Sequence, residues 1–261
     1  MSQNFHLDHY TIGLPFILLS VSLVLWTQKL ICGYIGKECL KMTREVAEHY
    51  LALVGTFYAV LLGLVVFDAM SKFQEAEKTV ENEAKHMLTV YSLSDQFPDQ
   101  SPYIKEHVRE YADEVVNREL KLMEEGEVSD KARSTILSLV SVVKAIKPVG
   151  DNQQAVFPIL LQETINWWEN RRDRIRESMF GIPTAEWVVL IIGALITISF
   201  TFFFTTDVRG VHLAMRLLAS ILIAMSLYLV LLFGSPFSGD MRVSDKPYRF
   251  VQMAMNSYLR N

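Results

Sequence analysis

The stretch YLALVGTFYAVLLGLVVF, residues 50–67, decides the fold class of this chain because none of its residues is charged. An α-helix of about 20 apolar residues crosses the roughly 30 Å hydrocarbon layer of a bilayer. Three further apolar stretches, with at most one charged residue each, lie at residues 12–31, 187–206 and 213–233. The sequence therefore predicts a membrane protein with four transmembrane helices.

Residues 68–186 separate the two pairs of apolar stretches and are rich in charged side chains. Apolar residues recur there at steps of three and four, the spacing of one helix face. In the first such helix they are Phe73, Ala76, Val80, Ala84, Met87 and Tyr91. We expect this helix to continue directly from the second span. No alternating strand pattern occurs, so the fold class is all-α, with four transmembrane helices and a large helical cytosolic insert between the second and third spans.

Later helices of the insert are marked by residues typical of helix ends. Ser101 and Pro102 have the chemistry of a helix start, Gly126 ends that helix, and Ser129 is a candidate N-cap for the next one. The last helix of the insert is predicted to begin near Pro158 and to reach the joint at 181–183. The side chains that characterise this helix are Ile165, Trp168, Arg172, Ile175 and Met179.

The spans divide the chain into four parts. Residues 1–67 hold transmembrane helices 1 and 2 with their connecting segment, 68–186 form the helical domain, 187–234 hold transmembrane helices 3 and 4, and 235–261 are the C-terminal tail. With an even number of spans, both termini and the 68–186 domain lie on one side. Lys and Arg near the spans are more numerous on that side, which predicts a multi-pass protein of the cell (inner) membrane with these parts in the cytoplasm.

Composition and motifs exclude several classes of function. A formal net charge of −4 and the lack of a basic, aromatic-interleaved patch argue against a nucleic-acid partner. The sequence contains no phosphate-binding loop, dinucleotide fingerprint, zinc-protease motif or nucleophile elbow. We therefore expect no catalytic residue, no enzyme activity and no cofactor.

One pair of residues has the spacing of metal ligands on a helix. Glu83 and His86 are three positions apart, as in the unit that di-iron bundles use twice, but no second copy exists. Glu75, Glu77 and Glu81 lie in the same acidic run. We interpret the whole run, with Glu83 and His86, as a solvated helix face, and expect no metal site.

The second span carries two distinct faces, as judged from the rotation of about 100° per residue. Small residues that allow close helix packing are Gly55, Ala59 and Gly63, and the third span repeats this device with Gly193 and Thr197. An apolar stripe on the opposite side consists of Leu53, Phe57, Val60, Leu64 and Phe67. In a monomer the stripe meets lipid. In a symmetric oligomer it lines a central pore and gates it by dewetting.

A short turn follows the last span. Its residues Pro236, Phe237 and Gly239, in the segment GSPFSG at 234–239, combine a helix stop with turn chemistry. Both a structural exit turn and a regulatory segment are consistent with this pattern.

Several of these stretches resemble the bestrophin-like family, named for its similarity to bestrophin anion channels. They are VGTFY at 54–58, FD at 67–68, the helix from 73 to 84, and GSPFSG at 234–239. Bestrophins have a similar G-F-Y stretch in the second span and an N-P-F-G segment after the last span. The order of two spans, a helical insert and two more spans is also similar.

The resemblance implies a pentamer whose second spans surround a hydrophobic neck. It maps that neck onto Leu53 and Phe57, with Val60 or Leu64 nearby. Two motifs differ from bestrophins: DAM at 68–70 replaces R-W-W, and DMR at 240–242 replaces an acidic cluster. At these positions the resemblance therefore supports neither calcium gating nor anion selectivity.

Two functional hypotheses follow. The first is a homo-oligomeric channel, pentameric by resemblance, that conducts small anions such as chloride across the lipid bilayer. The alternative is a membrane-anchored helical interaction or signalling protein without ion conduction, in which the spans only hold and oligomerise the insert.

Overall fold

The structure, a computed structural model, describes residues 44–179, 181–203 and 209–258 and the single positions 15 and 22. The described helices are α1 (Arg44–Leu93), α2 (Ser101–Glu114), α3 (Leu120–Glu124), α4 (Asp130–Ala145), α5 (Gly150–Met179), α6 (Thr184–Phe200), α7 (Arg209–Phe233) and α8 (Lys246–Tyr258). Short 3₁₀ turns lie at Ser94–Gln96 and Thr201–Phe203, and a π turn at Val115–Glu119. No strand occurs in these ranges, which confirms the all-α class for the part of the chain described.

Three helical stretches among the described residues are long and apolar enough to cross a membrane. They are His49–Gln96, Gly150–Phe200 and Leu213–Phe233. They contain the predicted second, third and fourth spans, whereas the predicted first span, 12–31, lies outside the described ranges.

Helix α1 unites the second span with the first helix of the insert, as predicted. It contains 50 residues, which gives a length of roughly 75 Å at 1.5 Å per residue. Between Gly63 and the end of the helix at Leu93 the sequence contains no Pro and no Gly. All six residues of its predicted apolar face, from Phe73 to Tyr91, are buried, because this half of α1 forms the centre of the helical core.

Helices α2, α5 and α8 pack on the outer half of α1, and α4 packs on α2 and α5. These five helices share one hydrophobic core, which we call the bundle. Tyr248, Val251 and Met255 of α8 belong to this core, so the tail packs against the helices between the second and third spans. Ser129 caps α4 as predicted, since its Oγ accepts a hydrogen bond from the Ala132 N–H at 3.2 Å.

Helix α5 begins earlier in the sequence than predicted. It begins at Gly150 rather than near Pro158, which lies inside the helix. Proline removes the hydrogen bond to the carbonyl four residues earlier. Both Pro158 and Gln154 are exposed, so water can hydrate that carbonyl and the helix continues.

The buried face of α5 also differs from the one that hydropathy suggests. Its fully buried residues are Leu160, Thr164, Trp167, Arg171 and Arg174. The more apolar neighbours Ile165, Trp168 and Ile175 are only half-buried, and Met179 is exposed. The buried face and the face predicted from hydropathy differ by one position along the helix. Hydropathy does not identify the buried face because that face contains two arginines.

The spans contact each other through a close approach of α1 and α6. Tyr58 of α1 is 7% exposed. A Cβ added to Gly193 of α6 would lie 2.5 Å from the Tyr58 Cδ2 atom, which is closer than real Cβ contacts. Glycine at 193 therefore allows the Tyr58 ring to rest on the α6 backbone.

Candidate functional site

The apolar stripe of the second span is exposed along its whole length. Its five side chains, Leu53, Phe57, Val60, Leu64 and Phe67, are between 54% and 71% exposed. The buried α1 positions Tyr58 and Ala69 lie on the opposite side of an ideal helix with 100° per residue. The stripe thus faces away from the helices that pack on α1 within this chain.

The small-residue ridge of α1 occupies a third side of the helix, about 120° from the stripe rather than opposite it as predicted. Gly55 is half-buried, and Ala59 and Gly63 are exposed. A Cβ added at Gly55 or Gly63 would meet no described atom within 4 Å. In α6, Gly193 contacts Tyr58, and the buried Oγ1 of Thr197 has no hydrogen-bond partner among the described residues. The α1 ridge is therefore open to a neighbour outside the described part of this chain.

The turn after the last span anchors α7 to the bundle. Phe237 is 5% exposed and belongs to the hydrophobic core. The Val243 N–H donates to the Pro236 carbonyl at 2.8 Å. Gly239 adopts φ +75°, a left-handed conformation that favours glycine. Phe237 therefore attaches the end of α7 to the bundle core.

A buried charge network lies at the centre of the bundle. Arg174 donates from Nε to Glu83 Oε2 at 2.7 Å and from Nη2 to Glu83 Oε1 at 3.2 Å. The same Nη2 donates to Glu119 Oε2 at 2.8 Å, and Arg171 pairs with the other Glu119 oxygen. Tyr111 donates its hydroxyl proton to Glu83 Oε1 at 2.5 Å. Two carboxylates thus balance two guanidinium groups.

This network joins elements that are distant in sequence. Glu83 lies on α1, Tyr111 on α2, Glu119 on the π turn, and Arg171 and Arg174 on α5. The π turn buries Val115, Val116 and Glu119 together. The network therefore connects the helix that bears the apolar stripe to the helix that leads into the third span.

The interpretation of Glu83 and His86 as a solvated face is wrong. Glu83 is fully buried in the network, and His86 Nδ1 lies 2.6 Å from Glu163 Oε2 on α5. Glu75, Glu77 and Glu81 are exposed, as predicted. Position 83 lies three residues after Val80 and next to Ala84, both on the apolar face. This spacing places Glu83 on the same helix face and was the sequence feature that indicated its burial.

Burial and the neighbouring arginines act in opposite directions on Glu119. Burial favours its neutral form, but the Arg174 and Arg171 guanidinium groups outweigh this and lower the pKa of Glu119 below its ordinary value of 4.5. Burial, reinforced by the Glu83 charge, raises the pKa of Tyr111, so its hydroxyl keeps the proton that it donates to Glu83.

The lowered pKa of Glu119 predicts a pH-dependent contribution to stability. A carboxyl group with a depressed folded-state pKa stabilises the fold above its unfolded-state value and loses this contribution as the pH falls through the folded-state value. We expect Glu119→Gln to reduce the unfolding midpoint at pH 7 and to differ less from wild type below about pH 4.5. Denaturant unfolding of the detergent-solubilised protein at both pH values measures this. Glu106→Gln, at an exposed position, is the control. An equal difference in unfolding midpoint between wild type and Glu119→Gln at both pH values would contradict the prediction.

Comparisons with known proteins agree with this architecture. The model of the bestrophin-like domain matches residues 16–248. A point-mutant crystal structure of a bacterial bestrophin homologue from Klebsiella pneumoniae has a TM-score of 0.69 at 11% identity, covering 94% of this chain and 99% of that chain. The structure of the same homologue solved by zinc phasing has a TM-score of 0.63 at 12% identity, with coverages of 94% and 97%. No curated protein is significantly similar in sequence. The match over residues 16–248 shows that this chain belongs to the bestrophin-like family.

Proposed function

We propose that this protein is a homo-oligomeric channel for small anions such as chloride, in which copies of α1 surround a central axis. The apolar stripe forms the neck, and the residues that line it are Leu53, Phe57, Val60, Leu64 and Phe67. The observation that carries this proposal is the orientation of the stripe, which is exposed and lies opposite the α1 face that packs within the chain. A helix arranged in this way can present large apolar side chains to a shared axis while its other faces bind neighbours.

The family supports a pentamer, because the bestrophins that the sequence resembles assemble with their second spans around a hydrophobic neck. In this arrangement the open ridge of Gly55, Ala59 and Gly63 accommodates a helix from the first span or from an adjacent copy. Residues 68–186 form a vestibule on the cytoplasmic side of the inner membrane, together with the tail. Conduction requires no catalytic residue and no cofactor.

Anion efflux from chloride-loaded liposomes tests the neck. We expect Leu53→Ala and Phe57→Ala each to raise flux at least about tenfold, which corresponds to about 1.4 kcal/mol off the permeation barrier, because a wider and less apolar neck wets more easily. Leu195→Ala is the matched control, since Leu195 is an α6 leucine with 55% exposure against 54% for Leu53. Its flux should equal that of wild type.

Two outcomes would reject the proposal. The first is an equal flux for wild type, both stripe variants and the control. The second is the absence of flux from all four proteins when protease protection shows correct insertion. The first outcome would show that the stripe does not limit conduction, and the second would favour the membrane-anchored interaction protein.

A further inference from the structure

A groove of about 390 Å³ runs along the side of α5 that faces away from α1. The side chains that define it are Arg133, Trp168, Arg171, Arg172, Arg176 and Met179. Among the described residues that line it, four are arginines and none is a carboxylate. The groove therefore combines a concentrated positive charge with aromatic and aliphatic surface.

Half of this charge is not compensated within the described chain. Arg133 and Arg172 are exposed and form no ion pair with any described residue. Arg176 has one partner, Asp173, at 3.0 Å on the surface. Arg171 is 2% exposed, and its Nε has no hydrogen-bond acceptor among the described residues. Because Arg171 pairs with Glu119 inside the bundle, the charge that the groove offers to an anionic oxygen is mainly that of Arg133 and Arg172.

The groove lies next to the membrane. Ile182, in the joint between α5 and α6, packs against Gly234 at the end of the fourth span: a Cβ on Gly234 would lie 2.6 Å from Ile182 Cδ1. The apolar helix Leu213–Phe233 ends directly before Gly234, so we place the membrane edge on the bundle side at this contact. Arg176 lines a pocket together with Gly234 and Pro236, which brings it close to the end of that helix. The headgroup layer is roughly 5–7 Å thick on each side of the hydrocarbon, and a long arginine side chain can reach toward it.

We propose that this groove binds the phosphate group of an anionic membrane lipid. The planar guanidinium groups of Arg172 and Arg176 bind phosphate oxygens in a fork geometry that a lysine cannot reproduce. Met179, at the membrane end of α5, contacts the upper acyl region, and Trp168, on the other side of the two arginines, contacts the polar headgroup. An uncompensated positive groove selects anionic lipids over zwitterionic ones. This inference does not depend on whether the protein conducts ions.

Native mass spectrometry of the full-length protein in detergent, titrated with phosphatidylglycerol or phosphatidylcholine, tests the groove. We expect wild type to retain phosphatidylglycerol preferentially, and Arg172→Gln/Arg176→Gln to bind it at least about tenfold more weakly, because two charge-assisted hydrogen-bond donors are lost. The matched control is Arg118→Gln/Lys144→Gln, which removes the same charge from exposed positions elsewhere on the bundle. Its affinity should remain that of wild type.

A second variant, Arg133→Gln, changes the groove from the α4 side and should also weaken phosphatidylglycerol binding selectively. Three results would overturn the proposal. They are equal affinity for the two lipids in wild type, equal losses in the groove and control variants, and displacement of the lipid by millimolar inorganic phosphate, which would assign the site to a soluble anion. Dissociation of an oligomer in Arg172→Gln/Arg176→Gln would also overturn it, since the groove would then be a contact between copies.

Discussion

Replacing Arg174 by alanine should lower the free energy of unfolding by about 3–5 kcal/mol. Arg174 is fully buried and is the only described residue that binds both Glu83 and Glu119. Without it, Glu119 keeps its pair with Arg171, but the Glu83 charge is left uncompensated. Removing one partner of a buried ion pair costs more than removing the pair, because the remaining charge still lacks its hydration.

Denaturant unfolding of the detergent-solubilised protein, followed by tryptophan fluorescence, measures this loss. Arg172→Ala is the matched control, since this arginine lies on the same helix but is exposed, and it should change stability by less than about 0.5 kcal/mol. The double variant Arg174→Met/Glu83→Gln should recover much of the loss, because the remaining Arg171 and Glu119 balance each other. Equal effects of Arg174→Ala and Arg172→Ala would disprove the structural role of the network.

Trp167→Ala should cost a similar amount, about 3–5 kcal/mol, through the cavity that it leaves. Trp167 is fully buried and meets the Tyr111 ring edge-on, with 4.9 Å between ring centroids and an interplanar angle of 86°. Its indole N–H has no acceptor among the described residues. Its contribution is therefore packing, and Trp167→Phe should retain more stability than Trp167→Ala.

The adjacent Trp168 provides the control, because Trp168→Ala removes the same side chain from a half-buried position. We expect it to cost less than half as much in the same unfolding experiment. A larger loss of unfolding free energy for Trp168→Ala than for Trp167→Ala would show that Trp168, and not Trp167, lies on the buried face of α5. Tyr111 contacts both Trp167 and Glu83, so Trp167→Ala and Arg174→Ala should be non-additive.

Several features of helix α1 could be predicted from the sequence pattern alone. The uncharged stretch at 50–67 and the apolar spacing from Phe73 to Tyr91 predict one continuous helix, and the structure confirms it. Both signals depend on local composition and on the helical period, which are properties of adjacent residues. The N-cap Ser129 was predictable for the same reason, since it acts on an N–H three residues away.

Helix α5 shows where such patterns fail. A hydropathy pattern assigns charged residues to solvent, yet Arg171 and Arg174 occupy the buried face with Trp167. Their burial is favourable only because Glu83 and Glu119 reach them from α1 and from the π turn, 91 and 55 residues from Arg174 along the chain. A short stretch of sequence therefore never contains both the buried arginines and the glutamates that pair with them.

Three long apolar helices, the all-α class and the apolar stripe were predictable from the residue order in the described part of the chain, because helix periodicity and hydropathy act over a few turns of one segment. The direction in which the stripe faces required the packing of Tyr58 on Gly193, two residues 135 positions apart. The pairing of buried charges and the arginine groove on α5 likewise arise where distant helices meet. Long-range contacts decide which side of each helix is removed from solvent, and the local pattern is compatible with more than one choice.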